Sequence, residues 1–266
     1  MKKNLTFEDP KDWLETAKAE VRKSYIIPKE INKDICLDLG VNVGAFTLVN
    51  HKNFSKIIGL EASMLNYKTA LDNMHKNGVS NFKLYHYAIG KESNKMLRLR
   101  NMEVRINGNI VVGTGQSKDC TVLDLSNSEM KAAGFNYGVS KEYEEVKSID
   151  FVDTLLLAGS RNISYIKCDV EGSEYDFFID HDLKCVEFLT MELHYTALGR
   201  EKVNSLMSHL NKFFDFYDGY RIEDFVNVWP PPSMVSMINK NIHIKNKFLR
   251  RCIRLIKNKI RMIIAT

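Results

Sequence analysis

Short apolar runs alternate with stretches of helical periodicity in the first third of the chain. The apolar runs lie at 35–39, 57–60 and 82–88, and the helical stretches between them lie at 43–50 and 63–76. Strand-length runs separated by helices predict βαβ units, which imply a parallel sheet with right-handed crossovers. An amphipathic pattern at about 10–30 predicts a further helix, which ends before Pro28 and packs over the start of this sheet.

The rhythm changes after residue 90. The residues from 96 to 106 alternate between apolar and polar, and Asn107-Gly108-Asn109 is a strong signal for a tight hairpin. The glycines that follow are Gly113, Gly115, Gly134 and Gly138. We therefore expect a β-hairpin and a mobile loop inserted after the third strand, at about 91–147, where a substrate lid is commonly found.

The parallel pattern resumes at residue 151. Helices are predicted at 151–158, 173–179 and 200–213, and strands at 163–169, 186–193, 215–220 and 225–228. Three consecutive prolines, at 230–232, close the predicted globular part. We divide the chain into an N-terminal helical segment (1–34), a main domain (35–232) and a C-terminal tail (233–266).

A glycine turn follows the first predicted strand. From Asp38 to Gly44 the sequence is D-x-G-x-N-x-G, with Gly40 and Asn42 inside it. Glycine lets backbone N–H groups approach a ligand, because it has no Cβ. The spacing matches neither the dinucleotide fingerprint nor the phosphate-binding loop. The turn can also be an ordinary strand-to-helix connection. Glu61 ends the second strand about 20 residues later, where doubly wound folds place a ribose-binding carboxylate.

Acidic side chains and one histidine follow two later strands. Asp169, Glu171 and Glu174 follow one predicted strand, and Glu192 and His194 end the next. Because ligands bind beyond the carboxyl ends of parallel strands, we expect these groups to converge on one site. A single acid at such a position can simply cap the next helix.

Several segments together resemble the FkbM family of S-adenosylmethionine-dependent methyltransferases. Residues 166–174, I-K-C-D-V-E-G-S-E, are similar to the family's I-K-x-D-V-E-G-x-E, and residues 148–156 resemble its T-L-D-x-L-L element. The turn at 38–44 and residues 87–90 also fit. The match covers roughly 35–195. Ala62 departs from it, because the family usually has proline after the acid.

The resemblance implies a Rossmann-like class I methyltransferase fold. Such a fold has a mostly parallel seven-stranded sheet with helices on both faces, here with the hairpin or loop insertion after strand 3. The implied cofactor is S-adenosylmethionine, and the residues expected to bind it are Asp38, Gly40, Asn42, Gly44, Glu61, Ala88 and Asp169. The implied reaction is O-methylation of a hydroxyl on a sugar, a glycan or another small metabolite. A non-catalytic cofactor-binding or scaffold protein of the same fold is the alternative.

Four residues form the candidate catalytic set: His194, Asp169, Glu192 and Glu171. A hydroxyl is a poor nucleophile, so a general base is useful. His194 is the first candidate because imidazole changes charge near neutral pH, although it can equally be a structural histidine. Asp169 can orient the cofactor's amino group or the acceptor hydroxyl. Asp169 and Glu192 would suit Mg²⁺, but the sequence fixes no further ligand, so no metal is assigned.

Composition bears on compartment and partners. Residues 1–13 are polar and charged without an apolar run, so we expect no secretory signal there, and the five cysteines are scattered without a C-x-x-C pair. These features predict a cytoplasmic protein with reduced thiols. The net charge is +5, but nine Lys and Arg and no acid lie in 240–266, which leaves −4 for 1–239. A mildly acidic body argues against nucleic acid as a partner.

The C-terminal tail has the pattern of a basic amphipathic helix. Its apolar stripe consists of Leu249, Ile253, Ile256, Ile260 and Ile263. Basic residues fill the remaining arc, which suits an anionic surface and predicts peripheral contact with the inner face of a membrane. Packing on the body of the protein or self-association through this helix explains the pattern equally well.

Overall fold

The computed structural model describes residues 10–106, 109–117, 137–217 and 220–242. The helices are α1 (Pro10–Ser24), α2 (Ala45–Asn50), α3 (Met64–Lys76), α4 (Phe151–Ala158), α5 (Glu174–Phe178), α6 (Tyr195–Leu210) and α7 (Glu223–Val226). The strands are β1 (Ile35–Leu39), β2 (Lys56–Glu61), β3 (Phe82–His86), β4 (Ala88–Ile89), β5 (Met96–Ile106), β6 (Asn109–Ser117), β7 (Tyr137–Ile149), β8 (Tyr165–Cys168), β9 (Phe188–Glu192), β10 (Phe214–Phe216) and β11 (Met234–Asn239).

Seven strands form the main sheet, in the order β10-β11-β9-β8-β1-β2-β3. Strand β1 pairs in parallel with β2 and β8, β2 with β3, and β8 with β9, whereas β11 is antiparallel to both neighbours. The predicted mostly parallel sheet is therefore confirmed. The strand order reverses between β1 and β8, and the carboxyl ends of these two strands flank the crevice where such sheets bind ligands.

The core lies on both faces of this sheet, because successive side chains of a strand point to opposite faces. Leu37 and Leu39 of β1 belong to the cluster that includes α4, α5 and α6. Cys36, between them, belongs to the cluster that includes α1 and α2. The predicted placement of helices on both faces is confirmed, and the N-terminal helix packs on the main domain.

The insertion after β3 is a second sheet in the order β4-β7-β5-β6. The predicted hairpin is confirmed, since β5 and β6 are antiparallel up to the pair Ile106 and Asn109. The expected loop is wrong at its end, where Gly138 lies inside β7 and pairs with Glu103. Pairing with β5 satisfies the backbone of β7 and overrides the low strand propensity of glycine. The expected loop is also wrong at its start, because Gly113 and Gly115 lie inside β6 and pair with Glu103 and Asn101 of β5. Residues 118–136 of that predicted loop lie outside the described residues.

The last elements differ from the prediction. The strand predicted at 225–228 is wrong, because the helix α7 spans Glu223–Val226. The apolar residue Phe225, which suggested a strand, is fully buried in this helix and stacks on Phe216, with ring centroids 5.2 Å apart. The final strand, β11, follows the prolines and pairs between β10 and β9, so the domain boundary at 232 was placed too early. The predicted tail helix lies outside the described residues.

Helix ends follow their local signals. Ser63 caps α3 as predicted, with its hydroxyl accepting the Asn66 N–H. The predicted helix at 10–30 ends earlier, at Ser24.

Within the described part of the chain, the structure contains no helix with the length and apolar character needed to span a bilayer.

Candidate functional site

The glycine turn after β1 is shaped by close packing. A Cβ at Gly40, where φ is +74°, would lie 1.8 Å from the carbonyl oxygen of Asp169. A Cβ at Gly44, where φ is +88°, would lie 2.3 Å from the side chain of Met74 on α3. The two glycines therefore let the turn contact β8 and α3. Gly44 lines neither of the two clefts described below. A side chain at this position would therefore collide with Met74 and not with a molecule bound in a cleft.

Asp38 lies beneath this turn and is fully buried. One of its carboxylate oxygens accepts the hydroxyl hydrogen of Thr47 at 2.7 Å, and the other lies 3.6 Å from Nζ of Lys167. The same ammonium group donates to the carbonyl oxygens of Leu39, at 3.2 Å, and Gly40. Asp38 lines neither cleft, and its contacts with Thr47 and Lys167 support the turn from inside. Its direct contact with the cofactor stays a prediction.

Lys167 is a buried lysine held by carboxylates. Burial acts to lower its pKa, but interactions with the carboxylates of Asp169 and Asp38 and with Tyr25 raise the pKa above the usual lysine value. Burial raises the pKa of Asp38, and Lys167 opposes that shift. Sequence reasoning gave Lys167 no role. A lysine inside an apolar strand was the available signal, because buried lysines need charged partners.

The first cleft opens at the switch point between β1 and β8. It is lined by Gly40, Asn42, Glu61, Ala88 and Asp169, which are five of the seven residues predicted to bind the cofactor. Tyr87, Ile89 and Glu171 also line it.

Glu61 is the most enclosed acid of the first cleft, with 6% of its surface exposed. Its two oxygens accept the backbone N–H groups of Asn42, at 2.7 Å, and Ser63, at 2.9 Å. Burial raises the pKa of Glu61 to about 7, although the two hydrogen bonds act to lower this pKa. Glu61 thus ties the glycine turn to the end of β2.

The second cleft shares Asn42 and Asp169 with the first. Besides these two residues, it is lined by Glu20 and Ser24 of α1, by Tyr25 directly after α1, and by Lys167 and Glu192. Burial and the nearby charge of Asp169 raise the pKa of the Glu192 carboxyl. The sequence does not predict that α1 lines this cleft, because no local motif marks the residues of α1 that contact the site in the folded chain.

Asp169, Glu171 and His194 converge at the ends of β8 and β9, as predicted. Nε2 of His194 lies 3.7 Å from Asp169 and 3.3 Å from Glu171. Nδ1 lies 2.5 Å from the buried carboxylate of Glu174. Burial alone would lower the pKa of His194, but Glu174, Glu171 and Asp169 raise it to about 10. The general-base role needs neutral imidazole, and these surroundings favour the charged form near neutral pH.

The sheet order and the crevice define a Rossmann-like fold of the S-adenosylmethionine-dependent methyltransferases. Residues 38–222 match the family model described as the methyltransferase FkbM domain. The chain therefore belongs to the FkbM methyltransferase family, and it is a methyltransferase that uses S-adenosylmethionine. A search of curated proteins gives no significant match.

Solved structures resemble the chain only distantly. A protein of the NADB-Rossmann superfamily from Streptococcus agalactiae is 12% identical, with a TM-score of 0.40, over 88% of this chain and 69% of its own. TrmK from M. capricolum, solved with S-adenosyl-homocysteine, is 10% identical, with a TM-score of 0.34, over 86% and 68%. Precorrin-6y C5,15-methyltransferase from Geobacter metallireducens is 10% identical, with a TM-score of 0.36, over 90% of each chain.

Proposed function

We propose that the protein transfers a methyl group from S-adenosylmethionine to a hydroxyl of a sugar, a glycan or a comparable small polyhydroxy metabolite. The observation that carries this proposal is that Asn42 and Asp169 line both clefts. A donor in the first cleft and an acceptor in the second would therefore meet at these two residues. Holding two reactants in contact is the main requirement of an in-line displacement.

The first cleft suits the cofactor. The side-chain oxygen of Asn42 is buried and has no hydrogen-bond partner among the described residues, so it can accept from the cofactor's ammonium group. Glu61 can accept from the ribose hydroxyls, and Tyr87 and Ala88 offer a partly apolar wall for the base. When bound, the cofactor supplies a methyl group on a positively charged sulfur.

The second cleft suits a neutral polyhydroxy acceptor. Ser24 and Tyr25 contribute hydroxyl groups, whereas Glu20 and Glu192 contribute carboxylates. Hydroxyls can both donate and accept, and carboxylates accept the hydrogens of sugar hydroxyls. A few placed polar groups beside an aromatic ring are typical of small-molecule sites.

Glu192 is the group that we expect to take the acceptor's proton. It lines the second cleft, and its pKa is raised by burial toward the range in which a general base works best. Asp169 lies between the clefts and would orient the hydroxyl. His194, in its charged form, would hold Asp169 and Glu171 in place.

The proposal is tested by methyl transfer from labelled S-adenosylmethionine to a panel of neutral sugars and oligosaccharides. Each acceptor is paired with its deoxy analogue. We expect transfer only to acceptors that keep the hydroxyl, and Glu192→Gln should reduce turnover on the order of 100-fold. Asp72→Asn, an exposed acid on α3, is the matched control. Cofactor binding without transfer to any acceptor would instead support a non-catalytic binding protein, and transfer to amines would contradict O-methylation.

The tail, whose residues beyond 242 lie outside the described part of the chain, is proposed to hold the enzyme at an anionic membrane surface. Replacing Arg250, Arg251 and Arg254 by Gln in the full chain should reduce sedimentation with anionic vesicles and leave neutral vesicles unaffected. Equal sedimentation of both proteins would exclude this role. A change in oligomeric state on ultracentrifugation would support self-association instead.

A further inference from the structure

The end of β8 and the end of β9 bring three potential metal ligands together. Asp169, Glu171 and His194 each offer one donor atom, and these atoms all lie within 4.8 Å of one another. All three side chains are partly exposed. An ion could therefore enter from the solvent side without opening the core.

We propose that Asp169, Glu171 and His194 bind one divalent transition-metal ion. Ligand bonds of about 2.2 Å at octahedral angles place neighbouring donor atoms about 3.1 Å apart. The separations from Nε2 of His194 are 3.3 Å to Glu171 and 3.7 Å to Asp169. All three side chains are partly exposed, so they have room to rotate and bring the three donor atoms around one ion.

Glu174 supplies the second observation. Its side chain is fully buried, and its Oε1 accepts from Nδ1 of His194 and from the Gly172 N–H. This hydrogen bond orients the ring so that Nε2 is directed at Asp169 and Glu171. Metal-bound histidines almost always donate their other ring N–H in this way. In the metal-free protein Nε2 carries a proton that pairs with these carboxylates, and binding of the ion releases that proton. The remaining oxygen, Oε2, is buried and without a hydrogen-bond partner in the described chain.

The donor set selects the kind of ion. Two carboxylates and one imidazole suit Mn²⁺, because carboxylates bind hard ions and imidazole favours transition metals over Mg²⁺. The ligands differ from the pair Asp169 and Glu192 considered from sequence, since Glu192 is not part of the cluster. The site stands on its own geometry. Its use in catalysis, which is to bind the acceptor hydroxyl beside Asp169, rests on the proposed function.

The binding test uses the full chain, freed of metal by chelation, without cofactor or acceptor. Titration with Mn²⁺ followed by electron paramagnetic resonance should show one ion bound per chain, with nitrogen coupling from an imidazole. His194→Gln should remove that coupling and weaken binding at least tenfold. Glu174→Gln should weaken it by about 10–100-fold through loss of ring orientation.

Two further variants keep the result decisive. Glu171→Gln changes a partly exposed side chain outside the helices and strands, so its loss of Mn²⁺ affinity can be measured on folded protein. Asp182→Asn, an exposed acid, should leave binding unchanged. Absence of one-to-one binding, or equal binding by all variants, would overturn the site. Because the readout needs no turnover, Mn²⁺ binding by an enzyme without O-methyltransferase activity would refute the proposed function and leave the metal site standing.

Discussion

Two neighbouring strands, β1 and β8, each carry an acid near the switch point, and the two acids have opposite environments. The side chain of Asp38 is fully buried and hydrogen bonded to Thr47, whereas that of Asp169 is 29% exposed and lines both clefts. Lys167 lies 3.6 Å from both carboxylates. A strand-end acid can therefore support a ligand turn from inside or act at its surface, and burial decides which.

Removing the shared cation should have the largest effect on stability. Lys167→Met would leave Asp38 buried without its ion pair, which costs about 3–5 kcal/mol of unfolding free energy. Chemical denaturation measures this loss. Lys184→Met removes an exposed ion pair with Asp182 and should cost less than about 1 kcal/mol. A similar, small loss in both variants would mean that the buried pair does not support the turn.

A second prediction concerns the contact between the turn and β8. Gly40→Ala should cost about 3 kcal/mol or more, because the new Cβ collides with the Asp169 carbonyl as well as straining the backbone. The control is Gly78→Ala, where φ is +65° and no atom lies within 4 Å of the added Cβ. It should cost only the backbone strain, about 1–2 kcal/mol. If thermal denaturation shows equal losses of unfolding free energy in the two variants, the end of β8 moves to accommodate the added Cβ.

Asp169→Asn tests the exposed member of the pair. We expect turnover to fall on the order of 100-fold, because the group lies where donor and acceptor meet. The affinity for S-adenosylhomocysteine should change by less than about tenfold. Asp38→Asn should have the opposite effect, with a larger loss of stability and a smaller loss of turnover than Asp169→Asn. Steady-state kinetics beside denaturation of both variants separates the two roles, and a turnover of Asp169→Asn equal to wild type would contradict its place in the reaction.

The cluster around His194 predicts a pH dependence of stability. The pKa of His194 rises from 6.5 to about 10 on folding, so its stabilisation is complete below pH 6.5 and is lost as the pH rises through 10. Chelator-treated protein should lose about 1–3 kcal/mol over this window that His194→Gln does not lose. Denaturation at several pH values measures the difference. Parallel curves for the two proteins would show that the histidine is not held by the three carboxylates.

Local sequence signals predicted the elements that depend on them. The glycine turn, the cap at Ser63 and the hairpin between β5 and β6 all follow from short patterns. Tertiary pairing could not be inferred in the same way. Strand β11 enters the sheet after the prolines, and Gly138 lies in a strand because β5 provides its partner.

The candidate site shows the same division. The order of motifs predicted which acids converge, because strand ends of a parallel sheet share one edge. Burial cannot be read from the sequence, which therefore predicts contact between Asp38 and the ligand and predicts no role for Lys167. The hydrogen bond between His194 and Glu174 joins residues 20 positions apart, and only the structure shows that it sets the direction of the ring.

The most direct test of the account is calorimetric titration of S-adenosylhomocysteine into the wild type and Glu61→Gln. Glu61 lines the first cleft and holds the glycine turn through the Asn42 N–H. Loss of its charge-assisted hydrogen bonds should weaken binding by about 1.5–3 kcal/mol, while Asp72→Asn should bind as tightly as the wild type. If Glu61→Gln binds S-adenosylhomocysteine with unchanged affinity, the first cleft is not the cofactor site.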